Sequence, residues 1–118
     1  MIIAIPLDEN KKDVCVSFGR APFVLFYDTE SNTREISENP AAQAQGGAGL
    51  KAAQFLVDHH TNILITIRCG QNAAEVLQAA ETAIYEAQGG NAEANLAAYL
   101  EGKLELLSHF HAGFHGKA

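Results

Sequence analysis

At 118 residues, 47% hydrophobic and 19% charged, the chain is long enough for one domain with a real core and too apolar to be disordered. A formal net charge of −6, with only eight Lys and Arg and those scattered, argues against a nucleic-acid partner, because phosphate backbones are bound by clustered cations. No stretch approaches the roughly 20 apolar residues that span a bilayer, and Met1 to Pro6 does not read as a secretory leader. A cytoplasmic protein with no membrane role is expected, its cysteines Cys15 and Cys69 being thiols rather than a disulfide.

Ile2 to Pro6 is a short apolar strand, followed by a polar connection from Leu7 to Val14. Val16-Ser17-Phe18-Gly19-Arg20-Ala21-Pro22 is a glycine-centred loop that looks like the entrance to a site. Gly19 permits backbone angles that a Cβ resists, Arg20 offers a permanently charged fork of donors, and Pro22 fixes the chain before Phe23. Phe23 to Asp28 is a second strand, and the turn chemistry of Thr29 to Asn32 returns it as a hairpin through about Thr33 to Ser37.

Asn39 to Gly47 is a loop, after which Ala48, Ala52, Phe55 and Leu56 recur at helical spacing to about His59. Asn62 to Ile67 is almost continuously apolar, as expected of a central parallel strand covered on both faces. A second helix follows Cys69-Gly70-Gln71, with Asn72 as its cap, Glu75 three residues on, and Ala73, Val76, Leu77 and Ala80 as its buried stripe. Ala83 to Ala87 is a short last strand. Gln88 to Asn91 turns into a third helix with Ala92, Leu96, Tyr99 and Leu100 on one face, and Glu101 to Ala118 reads as a tail.

The pattern is βββαβαβα, an α/β fold with a five-stranded mixed sheet flanked by helices. Right-handed crossovers and short connections favour the strand order 3-2-1-4-5. In that order all three helices start at one edge, which collects Asp8 to Asn10, Cys15 to Arg20, Gly46 to Gly49, Cys69 to Asn72 and Gly89 to Asn91. Open α/β sheets bind ligands beyond the carboxyl ends of their strands, and helix N-termini favour anions.

Ile2 to Asn10, the Ser17-Phe18-Gly19-Arg20 loop, Glu38-Asn39-Pro40 and Gly46-Gly47-Ala48-Gly49, in this order and spacing, resemble the dinitrogenase iron-molybdenum cofactor biosynthesis family, small NifX-like carriers of nitrogenase cofactor precursors. The resemblance covers about residues 1 to 105, a single domain that leaves 106 to 118 as a His-containing tail. It implies a ribonuclease-H-like motif, an iron-sulfur or iron-molybdenum-type cluster as cargo, and a cluster donor or acceptor protein as partner. In cluster-carrying relatives the residue before the Phe-Gly of the loop is commonly a histidine. Here it is Ser17, a poor ligand for iron in a cluster.

The candidate cofactor-binding residues are Cys69, Cys15, Ser17, Phe18, Gly19, Arg20, Gly46, Gly47, Gly70 and Asn72. Cys69 stands between a buried strand and a helix start, an environment that lowers a thiol's pKa, and it reads either as a soft metal ligand or as a small buried hydrophobe. Cys15 reads in the same two ways. The tail adds His109, His111 and His115, three of the five histidines, which suit a divalent metal in an extended or a helical geometry. His59-His60 closes a helix, a weaker metal candidate.

Enzymatic readings fit less well. A ribonuclease-H-type nuclease needs a carboxylate inside the first strand, and Ile2 to Pro6 has none. A Cys-His hydrolase needs a base placed for its thiol, and no histidine falls on the upper edge. The residues therefore point to a non-enzymatic binding or carrier protein. The alternative is a small interaction or regulatory module that kept the fold and lost the cofactor.

Overall fold

The computed structural model describes residues 1–110. Strand β1 (Ile2–Leu7) pairs antiparallel with β2 (Phe23–Asp28), which pairs antiparallel with β3 (Thr33–Glu38). On its other side β1 runs parallel to β4 (Ile63–Thr66), and β4 parallel to β5 (Ala83–Glu86). The order is β3-β2-β1-β4-β5, as expected. Helices α1 (Ala48–Asp58), α2 (Gln71–Ala79) and α3 (Ala92–Leu100) follow β3, β4 and β5, so all three start at the same edge.

Strand alternation divides the core into two layers. Ala4, Val24, Phe26 and Leu64 face α1 and α2, where they meet Ala52, Ala53, Leu56, Ala73, Ala74 and Leu77. Ile3, Ile5, Leu25, Tyr27, Ile63 and Ile65 face α3 and meet Ala92 and Leu96. The small residues on α1 and α2 let two helices share one sheet face, whereas among the described residues the other face has a single helix. His59 is a packing residue: its ring stacks on Phe26 at 4.6 Å between centroids.

Two sequence expectations change. Helix α2 begins at Gln71 with Gly70 as its N-cap and no side-chain cap bond, so Asn72 lies inside the first turn and caps nothing. The chain after α3 does not leave the domain at once. Leu107 N–H donates to Ile84 O at 2.9 Å, Glu86 N–H donates to Glu105 O at 2.8 Å, and Leu106 bridges Tyr85, which adds an edge segment beside β5.

Leu104 enters the α3-side core and Leu107 the opposite one, and Phe110 packs against the latter. Their odd spacing puts them on opposite faces of an extended segment, so no one-sided apolar stripe marks it, which is why the segment read as tail. His111 and His115 lie outside the described residues.

Candidate functional site

The Ser17–Arg20 loop is built by ties on both sides. Val14 bridges Leu7, the Cys15 N–H donates to Pro6 O at 2.9 Å, and Ser17 forms a parallel bridge with Arg68 just beyond β4. Phe18, 3% exposed, plugs the loop into the core under α1 and α2. Gly19 then passes so close to α1 that a Cβ there would stand 2.9 Å from Gly49 N and 3.1 Å from the Ala48 carbonyl carbon. Only glycine fits, because the neighbours are backbone and cannot rotate away.

The second wall is the segment that enters α1. Asn39, 5% exposed, donates to Ala21 O at 2.9 Å and Gly19 O at 3.3 Å and accepts from the Ala41 N–H, so its amide stitches the two loops together. Gly47 caps α1 with φ 68, a left-handed angle that favours glycine. Arg20 reaches across to this segment. Its Nη1 donates to the carbonyl oxygens of Ala42, at 3.3 Å, and Ala44.

Between these walls and the start of α2 lies a groove of about 360 Å³, lined by Ser17 to Arg20, Gln45 to Leu50, Gly70, Asn72 and Ala73. Eight of the ten candidate residues are therefore brought together: Ser17, Phe18, Gly19, Arg20, Gly46, Gly47, Gly70 and Asn72. Arg20 is the one charged side chain in the lining. Neither α1 nor α2 has a side-chain cap or an acidic residue in its first turn, so both helices present backbone N–H groups and positive dipole ends to the groove.

The cysteines are not in the lining. Cys69, 1% exposed, sits in the core one residue before Gly70, its Sγ 3.6 Å from Gly70 O. Burial pushes its thiol up to about 12, opposite to the lowering expected from the helix start, because a thiolate out of water loses its solvation. The Cys15 thiol is also pushed up, first of all by burial, which outweighs the lowering by the Ser17 backbone N–H, while the neighbouring Asp8 adds a smaller rise. Among the described residues no three His, Cys, Asp or Glu side chains gather to hold a metal ion.

A larger and shallower hollow, about 600 Å³, lies on the other side of the α2 start, between Arg68, Gln71, Glu86 and the Leu107–Phe110 segment. His109 lies there, apart from the groove. Its lining mixes both charges, and it takes none of the loop residues that the sequence singled out. Sequence reasoning missed Gln45 and Leu50 as lining and Asn39 as the stitch. Asn39-Pro40 is a turn signal, but nothing local says what a turn amide will bond to.

Three comparisons bear on this geometry. A family model described as "Dinitrogenase iron-molybdenum cofactor" matches residues 1–102. No curated protein matches the sequence. Among solved structures, a NifB-like protein from Thermotoga is 37% identical with a TM-score of 0.78, the match covering 96% of this chain and 98% of that one. The apo form of the orange protein from Desulfovibrio gigas is 25% identical with a TM-score of 0.83, covering 91% and 92%. A Methanocaldococcus jannaschii protein described as a dinitrogenase, 18% identical with a TM-score of 0.72 over 92% and 96%, shares the fold.

Proposed function

The chain belongs to the dinitrogenase iron-molybdenum cofactor family, and on that premise we propose that it is a non-enzymatic carrier of an anionic metal-sulfur cluster, held as cargo in the groove between the Ser17–Arg20 loop and the starts of α1 and α2. The observation that carries this reading is the convergence of two acid-free helix starts without a side-chain cap and one arginine on a single groove. Hydrogen-bond donors and positive partial charge suit sulfides and carboxylates on the outside of a cluster. The same donor set does not supply the thiolates that a resident iron-sulfur cluster takes, since both cysteines are held toward the protonated form outside the groove. The cargo is thus gripped whole, taken from a donor protein or released to an acceptor protein.

Anaerobic titration with iron and sulfide, and separately with tetrathiomolybdate, tests this reading by retained absorption after gel filtration. Retention should survive Cys15→Ala and Cys69→Ala and fall in Arg20→Ala. Ser17→His, which restores the residue common in cluster-carrying relatives, should raise it. Retention lost in the cysteine variants and unchanged in Arg20→Ala would make the cluster thiolate-bound and sink the groove reading.

A second reading is an interaction module without cargo. It is favoured by the lack of a gathered ligand set among the described residues and by Ser17; retention of no cluster in any variant would select it. Divalent-metal binding by His109, His111 and His115 is a separate proposal. It predicts that zinc or nickel binding falls when the chain is cut after Phe110.

A further inference from the structure

The one charge in the groove lining also holds the groove's wall. Both hydrogen bonds of Arg20 Nη1 go to the Asn39–Gly47 loop, at Ala42 and Ala44. The loop's first residues are tied separately by the buried Asn39 amide, and the turns Ala42 N–H to Asn39 O and Ala44 N–H to Ala41 O lie within the loop itself. Among the described residues, Arg20 is the only side chain from outside the loop that bonds to the 42–46 segment. Gln45 and Gly46 of that segment line the groove.

A guanidinium is a planar fork with five N–H donors. Its Nε and Nη2 form the edge that grips an anion through two parallel bonds. In Arg20 that edge carries no hydrogen bond or ion pair among the described residues, although Arg20 also lines a second, open hollow that it shares with Asp8 and Glu9. One side of the guanidinium is therefore committed to the wall, while the side suited to an anion has no partner.

We propose that Arg20 couples the wall to the cargo: Nη1 holds Ala42 and Ala44 while the Nε and Nη2 edge takes the anion, so that filling the groove orders the 42–46 segment. This rests on the anion-carrier reading and adds to it a linkage between occupancy and loop order. The linkage is reciprocal, so the factor by which the anion suppresses opening of the segment is the factor by which a closed segment tightens binding. A lysine supplies charge without the fork. Its ammonium cannot span the two carbonyls and an anion in one plane, so Arg20→Lys keeps attraction and loses coupling.

Amide hydrogen exchange of the full chain, followed anaerobically with and without tetrathiomolybdate, reads the segment directly. In the wild type, exchange at Ala42 to Gly46 should slow about fivefold or more on addition of the anion, within the usual range of such couplings. In Arg20→Lys the anion should still bind, within about tenfold of the wild type, with no slowing of the segment. In Arg20→Ala the segment should already exchange faster without anion, while protection of β1 and β4 reports an intact fold. Binding to the wild type without slowing, or equal slowing in Arg20→Lys, overturns the coupling and leaves the anion site standing. Failure of tetrathiomolybdate to bind the wild type overturns both.

Discussion

Three helices start along one edge of the sheet in two different ways. The start of α3 is closed by its own chain: Asn91 accepts from the Ala94 N–H at 2.9 Å, and Glu93 in the first turn pairs with Arg34 at 2.8 Å. Asn95, 3% exposed, accepts from the Gln88 N–H and donates to Gly89 O and Asn91 O, so the turn before the helix is satisfied as well. The starts of α1 and α2 have neither a side-chain cap nor an acid. A helix start with its donors filled and its dipole neutralised is structural, whereas two left open on a groove with an arginine are equipped for an anion from outside.

Asn95→Ala should show the largest effect of breaking this contrast. It removes the partner of the Gln88 N–H and of the Gly89 carbonyl and leaves a void where the buried amide packed, and urea unfolding should register a loss of about 3 kcal/mol. Tetrathiomolybdate retention by the folded variant should not change. A fall in retention out of proportion to stability would mean that the α3 start belongs to the site.

Gly19→Ala acts on the other region. Its Cβ meets the α1 backbone, so the loop or the helix must shift, at about 2 kcal/mol by thermal unfolding and with loss of retention. Normal retention would show that the close approach does not shape the groove.

Cys69→Ala tests whether the thiol beneath the groove is core or ligand. As core it should cost about 1 kcal/mol and leave retention intact. Its folded value near 12 lies above the ordinary 9.0, so the folded state binds the extra proton between them. The corresponding stability is complete below about pH 9 and is lost as pH rises toward 12. The difference in stability between wild type and Cys69→Ala should shrink over that range, and a constant difference would contradict the burial argument.

Gly70→Asp sharpens the comparison with the smallest effect on stability. Gly70 has φ −71 and ψ 155, which any residue adopts, so the carboxylate can cap α2 as Asn91 caps α3. Stability should rise by a few tenths of a kcal/mol while anion retention falls. Undiminished retention would show that the α2 start takes no part in binding.

The strands were the legible part of this chain. The apolar run of Phe23–Asp28, the turn at Thr29 to Asn32 and the apolar run of β4 each carry their signal within a few residues, and connection rules then order the sheet. Most of the groove lining was also legible, because the topology places Ser17 to Arg20, Gly46, Gly47 and Gly70 at one edge whatever their side chains do. The Leu104–Phe110 segment was not, since two leucines three apart acquire meaning only when a sheet edge runs between two cores to receive them.

By itself the sequence determined the α/β pattern, the strand order, the edge at which the helices start and the loop that faces it, because periodicity, turn chemistry and crossover handedness are local or nearly local properties. Tertiary structure alone decided that Arg20 bonds to the Ala42 and Ala44 carbonyls, and that Asn72 lies beyond the cap position. It also decided that the Cys69 thiol is driven up rather than down. Each of these depends on which distant groups come within a few ångströms and on whether water is excluded there, and neither is written in the spacing of residues along the chain.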